Sequence, residues 1–167
     1  MLTYEKCNRT LNWLFWAPLV CACLHIFEEF VYPGKFREWY TRYKPDVKKS
    51  ISTRFLIIIN AGLLILCYDI GALRQNYWGM ILWLGVMAML AANGIWHLKG
   101  VLKTKSYSPG VVTGLLLYVP LTIYGYIYFL SNEQISFLTV LVVFVIGSSY
   151  QLWSNMFHRL RTKKIST

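Results

Sequence analysis

Apolar residues fall into five long runs along the chain, separated by short polar breaks. The runs lie near residues 11–32, 55–73, 78–98, 109–130 and 135–157. A helix crossing roughly 30 Å of hydrocarbon at about 1.5 Å per residue needs about 20 mainly apolar residues. All five runs meet that length, so the pattern predicts an all-α, polytopic membrane bundle of five transmembrane helices forming one transmembrane domain over 1–167. The first run is too long for the apolar core of a cleavable leader, and it carries acids and a histidine, so it reads as a spanning helix. In the longest break, Phe36, Trp39, Tyr40 and Tyr43 recur at i, i+3, i+4 and i+7 after Pro33-Gly34. That spacing predicts a short amphipathic helix over 35–43, lying at the membrane interface as an anchor.

Composition agrees with the pattern. The chain is 56% hydrophobic and 14% charged, against about 25% charged residues in soluble domains. Its net charge of +10 comes from 17 Lys and Arg against 7 Asp and Glu. A nucleic-acid role has no support beyond that net charge, because the bases do not run through a polar chain. They sort by side instead. Lys6, Arg9 and Arg74 fall on one side of the predicted topology. On the other fall 35–54, Lys99, Lys103 and Lys105, and the tail with Arg159, Arg161, Lys163 and Lys164, together 14 of the 17. Basic loops stay in the cytoplasm, which predicts the N-terminus outside and the C-terminus inside. Cys21, Cys23 and Cys67 lie within apolar runs and Cys7 just before one, which reads as small buried hydrophobes rather than a zinc knuckle.

Ionisable groups at membrane depth cost about 2.5–3.5 kcal/mol each even on gentle scales, so those present call for a reason. His25, Glu28 and Glu29 stand in the first run and Asn93 and His97 in the third. His25 is i,i+3 from Glu28 and i,i+4 from Glu29, so both acids share its face, about 100° apart. Asn93 and His97 are i,i+4, with Gly94 beside them to permit close approach. The predicted topology brings these residues, Asn60, and Ser148, Ser149, Gln151 and Asn155 towards the cytoplasmic leaflet. The His25 group would sit roughly 4–11 Å below the boundary. Asp69 falls near the opposite face, and His158, beside Arg159, reads as an interfacial residue.

Two imidazoles and a carboxylate form a ligand set for zinc or non-haem iron with a position left open. His25, His97 and Glu29 are the expected metal ligands. Glu28 is then the expected acid or base, and Asn93 orients a ligand or binds substrate, with the two glutamates' roles open to exchange.

The run His25-Ile-Phe-Glu28-Glu29 followed by Asn93-Gly-Ile-Trp-His97 resembles the HXXEE family of small, mostly bacterial integral membrane proteins. The resemblance covers roughly residues 11–130. It implies a bacterial membrane protein with functional residues at His25, Glu28, Glu29, Asn93 and His97. It implies neither a reaction nor a metal.

Membrane lipids are the expected partners. Arg37, Arg42 and Lys99 are placed to hold an anionic headgroup, and Ser108-Pro109-Gly110 opens a helix whose free N–H groups could face an anion. The leading expectation is a metal-dependent membrane enzyme acting on a lipid or isoprenoid-like substrate, by hydrolysis or oxygen chemistry. Metal-free acid/base chemistry, such as a lipid isomerase using Glu28 and His97, is the alternative. A small cation transporter using the same residues is a third.

Overall fold

The computed structural model describes residues 11–48, 51–74 and 76–166. The N-terminal tail with Lys6, Cys7 and Arg9 lies outside them, as do Lys49 and the side chains of His158, Arg159, Lys163 and Lys164. Every regular element among the described residues is helical. In chain order these are α1 (Asn12–Phe30), α2 (Phe36–Tyr43), α3 (Thr53–Leu73), α4 (Tyr77–Thr104), α5 (Val111–Ser131), α6 (Phe137–Ser148) and α7 (Tyr150–Ser166). Five segments are long and apolar enough to cross a membrane: α1, α3, α4, α5, and Phe137–Phe157, which joins α6 to the start of α7.

Local chemistry starts these helices where they start. Ser52, Asn76 and Ser136 are N-caps whose side-chain oxygens accept from the N–H groups of Phe55, Gly79 and Thr139. On α1 the buried positions are Leu14, Phe15, Pro18, Ala22, His25, Glu28 and Glu29, a stripe at helical spacing. The acids and the histidine continue the same stripe that packs the apolar core, so the helix turns them inward.

Helix α4 is the hub, in contact with every other helix. It crosses α5 backbone against backbone at two glycines. A Cβ on Gly94 would lie 2.7 Å from the carbonyl oxygen of Gly114, so Gly94 serves the approach of another helix. At this crossing α5 widens into a π-helical turn, Gly114–Tyr118. The apolar core runs through Leu14, Phe15, Trp83, Leu84, Met87 and Phe129. Outward lie Ile57, Ile58 and Ile65 of α3 and Phe137, Leu138, Val145 and Ile146 of α6, an apolar surface of the kind a bilayer covers.

Three elements differ from expectation. Helix α4 continues six residues past 98, to Thr104, before Lys105 closes it in the left-handed conformation. Length in hydrocarbon limits a span but not a helix, and the repeat of Leu98, Val101 and Leu102 carries it on; Lys99 and Lys103 therefore sit on helix, not loop. The last run breaks at Ser149 into two helices. Helix α2 forms where the aromatic spacing places it, but its aromatic face turns into the protein. Phe36, Trp39 and Tyr40 are buried, packed with Trp96 of α4. Gly100 makes room: a Cβ there would lie 2.3 Å from the Trp39 ring.

Candidate functional site

Residues His25 and Glu29, one turn apart on α1, meet His97 of α4. Glu29 Oε1 lies 3.4 Å from His25 Nε2 and 3.2 Å from His97 Nε2. One ligand atom from each of the three side chains falls within 4.8 Å of the others. All are out of solvent, with exposures of 3% for His25, 6% for Glu29 and 0% for His97.

The far ring nitrogens explain why both Nε2 atoms face the carboxylate. His97 Nδ1 is 2.8 Å from the hydroxyl of buried Ser108, and His25 Nδ1 is 2.8 Å from Thr113 Oγ1. Thr113 has one hydroxyl proton, which it donates to Glu28 Oε2. Its oxygen must therefore accept from His25, so the Nδ1–H is the donor and Nε2 is left to face Glu29. His97 Nε2 is buried and has no hydrogen-bond partner, although Glu29 Oε1 is nearby. Two imidazoles oriented through hydroxyls at Nδ1, with Nε2 converging on one carboxylate oxygen, form an arrangement able to hold a cation.

Glu28 is occupied differently. Its Oε1 accepts from the Tyr107 hydroxyl and from Val112 N–H (3.1 Å), and its Oε2 from Thr113 N–H (2.7 Å) and the Thr113 hydroxyl. The carboxylate closes the N-terminus of α5, where amide groups otherwise lack partners. The anion that the Ser108-Pro109-Gly110 turn faces is thus a side chain of the protein itself. Expected as an acid or base at the site, Glu28 is instead turned away from the two Nε2 atoms by the 100° step between adjacent helical positions. Outside the spanning helices, burial and the Glu28 carboxylate push the Tyr107 hydroxyl above the ordinary phenol range, so it stays a donor.

Asn93 joins the cluster: its amide nitrogen lies 3.2 Å from His25 Nε2, and its oxygen accepts from Gln151 Nε2 at 3.4 Å. Tyr118, which the π-turn carries, lies with its ring 4.7 Å from that of His25, and its hydroxyl is buried with no hydrogen-bond partner. Trp39 stacks on His97 at 5.6 Å as a cover, and Gly110 forms the floor. Gly110 has φ +96°, and a Cβ there would come within 2.7 Å of His25 Cε1 and 2.9 Å of His97 Cε1. Only glycine suits that conformation and that space.

A cavity of about 890 Å³ opens beside the cluster, reached by His25, Glu29, Asn93 and Tyr118. Asn60 lines it, though its amide donates to Leu56 O of its own helix. Arg37, Arg42 and Lys99 are exposed and take no part in the lining; the cation there is Arg161. Asp69 is exposed on α3, and Cys21, Cys23 and Cys67 are free thiols. The sequence reading missed Thr113, Tyr107 and Tyr118, and it gave Ser108 and Trp39 other places, one in an anion-facing turn and the other in an interfacial anchor. A hydroxyl following Pro-Gly by a few residues was a usable signal for Thr113; Tyr118, one of 12 tyrosines, offered none.

The model of a family described as a protein of unknown function with HXXEE motif matches residues 16–125, about two thirds of the chain. No curated protein and no solved structure matches it. With the His25, Glu28 and Glu29 motif inside the matched stretch, the chain belongs to the HXXEE family.

Proposed function

We propose that the chain is an integral membrane enzyme that binds one divalent metal, zinc or iron, through His25, Glu29 and His97 and acts on a lipid or isoprenoid-like substrate. The observation that carries this reading is the convergence of two Nε2 atoms on Glu29 Oε1, with both Nδ1 atoms held by hydroxyls. Three protein ligands leave a coordination position open, as catalytic rather than structural sites do. A metal there supplies a Lewis acid that polarises a substrate oxygen. The chain's own groups do the rest. Thr113 and Ser108 fix the imidazoles, and Asn93 and Tyr118 offer an amide and a hydroxyl to the bound molecule. Trp39, Phe36 and Gly110 keep water from the rings.

Metal-free acid/base chemistry is the second reading. It is favoured by the His25–Glu29–His97 contacts, which put one carboxylate oxygen within proton-transfer reach of two imidazoles. Glu28, with four donors on its carboxylate, leaves the proton transfer in that reading to Glu29 and His97. A cation pathway finds less support, because the cavity beyond the cluster presents the apolar Leu63, Leu66, Met89 and Leu90 and the cationic Arg161. The basic residues around α2, the end of α4 and the end of α7 support a bacterial cytoplasmic-membrane orientation with the C-terminus and the site towards the cytoplasm. A reporter fused to the C-terminus and active only in the cytoplasm should be active; silence would reverse the orientation.

Elemental analysis of the purified protein beside His25→Ala and His97→Ala tests the main reading. One equivalent of zinc or iron in the parent, lost from both variants, is expected. A folded parent that takes up neither metal sinks the metal centre and promotes the acid/base reading.

A further inference from the structure

The cavity extends well beyond the His25–Glu29–His97 cluster. Between α3 and α7 its walls are mainly apolar, with Phe55, Leu56, Leu63, Phe157 and Leu160 outweighing Asn60 and Ser154. Ile58 and Ile59 line it and are also 68% and 48% exposed, so this wall opens towards the surface that a bilayer would cover. Beside them Gly62 faces open space: a Cβ there would meet nothing within 4 Å.

Two polar groups mark the ends. Tyr118, fully buried near His25, carries a hydroxyl with no partner. Arg161 lines the other end, its guanidinium carbon 4.4 Å from the centre of the Phe55 ring, and no carboxylate pairs with it among the described residues. Gln151 of α7 touches Asn93 at the cluster, and Arg161 follows on the same helix ten residues later. That separation is about 15 Å along the helix axis.

We propose that this cavity takes a single-chain amphiphile with an anionic head, its head on Arg161 and its chain running inward past α3 to Tyr118 and the cluster. The proposal deepens the lipid reading above and rests on it for the direction of the chemistry, while the binding itself requires no metal. A guanidinium stacked on an aromatic ring keeps its N–H fork free for a carboxylate or phosphate, which it grips bidentately. The apolar walls remove the chain from water in proportion to its buried area. The axial offset means that a substrate oxygen meeting the cluster and the Tyr118 hydroxyl is carried on the chain, not on the head.

The purified full-length protein, either stripped with EDTA or loaded with zinc, is titrated with the fluorescent fatty acid cis-parinaric acid. Bound probe is then displaced with dodecanoic acid, dodecyl phosphate or dodecanol. Both anions should displace it, and the stronger of the two identifies the head; dodecanol should be weaker by about tenfold or more, the factor expected for one charge-assisted contact. Arg161→Gln should lose that same factor for the anions and leave dodecanol unchanged, with Arg161→Lys between. Dodecanol displacing as well as dodecanoic acid overturns the proposal, and this arm needs no variant. So does unchanged affinity in a folded Arg161→Gln protein. Binding that requires zinc and ignores Arg161 puts the head on the metal, overturning the proposal and leaving the metal reading intact. Arg161-dependent binding in a protein that takes no metal does the reverse.

Discussion

Glu28 and Glu29 are neighbours in sequence and belong to two different regions of the molecule. Around Glu28, the segment from Tyr107 to Thr113 aims two side-chain hydroxyls and two backbone amides at one carboxylate. Around Glu29, two imidazoles face the carboxylate through ring nitrogens whose opposite atoms are already bonded. The first region is saturated, every donor matched to an oxygen. The second is left short, with a buried His97 nitrogen and a buried Tyr118 hydroxyl that lack partners. Burying polar groups unpaired costs about 1–3 kcal/mol each, so a region that tolerates them is kept for something other than stability. Thr113 joins the two, because its hydroxyl serves Glu28 and His25 together.

The comparison breaks most sharply at Glu29. Glu29→Gln keeps the shape and removes the charged oxygen from between the rings. If the metal reading holds, affinity for zinc should fall by more than about a hundredfold, beyond the loss typical of supporting residues, while thermal unfolding in detergent barely moves. Glu28→Ala should behave in the opposite order. Four donors lose their acceptor, and unfolding should show a loss of about 2–4 kcal/mol, with metal affinity reduced by about ten- to a hundredfold as Thr113 is released. Zinc titration and melting of the two variants side by side check both. Equal stability losses at Glu28 and Glu29 would mean that the two carboxylates do not differ in role.

That distinction was only half legible in the sequence. Runs of apolar residues gave five spans because hydrocarbon thickness sets their length directly. His25, Glu29 and His97 stood out because a chain this poor in charge has few reasons to carry them at membrane depth. Their convergence needed only helix periodicity and the order of the spans. Nothing local told Glu28 from Glu29. The difference lies in Tyr107, Val112 and Thr113, about 80 residues away, and in the few ångströms by which α5 approaches α4 at Gly94 and Gly114. For the same reason the aromatic face of α2 looked like a membrane anchor: its spacing is correct for either surface, and only Gly100 on α4, which accommodates Trp39, turns it inward.

A finer test of the link between the regions is Thr113→Val, which keeps the volume and removes the shared hydroxyl. Glu28 retains three of its four donors, so stability should fall by only about 1–2 kcal/mol. His25 loses the acceptor that holds its Nδ1–H, and zinc affinity should drop about tenfold, the lower end for a supporting hydrogen bond. Serine at the same position should restore affinity through its hydroxyl, whereas recovery with alanine would point to packing instead.

The smallest effect is expected at Tyr107, which touches Glu28 only. Tyr107→Phe removes one donor at a half-exposed position, for about 0.5–1 kcal/mol and no change in metal affinity. Its signature is in the pH dependence. The phenol is held above its ordinary value by burial and by the Glu28 carboxylate, so the folded protein binds that proton more tightly than the unfolded chain. The stabilisation is therefore complete below the unfolded phenol value, near about 10, and is lost as pH rises through the folded one. Melting temperatures of the parent should fall more steeply than those of Tyr107→Phe above that point, and the two curves should run parallel below it. Parallel curves throughout would mean that Tyr107 is not coupled to Glu28 in solution, leaving Glu28 to cap α5 through Val112 and Thr113 alone.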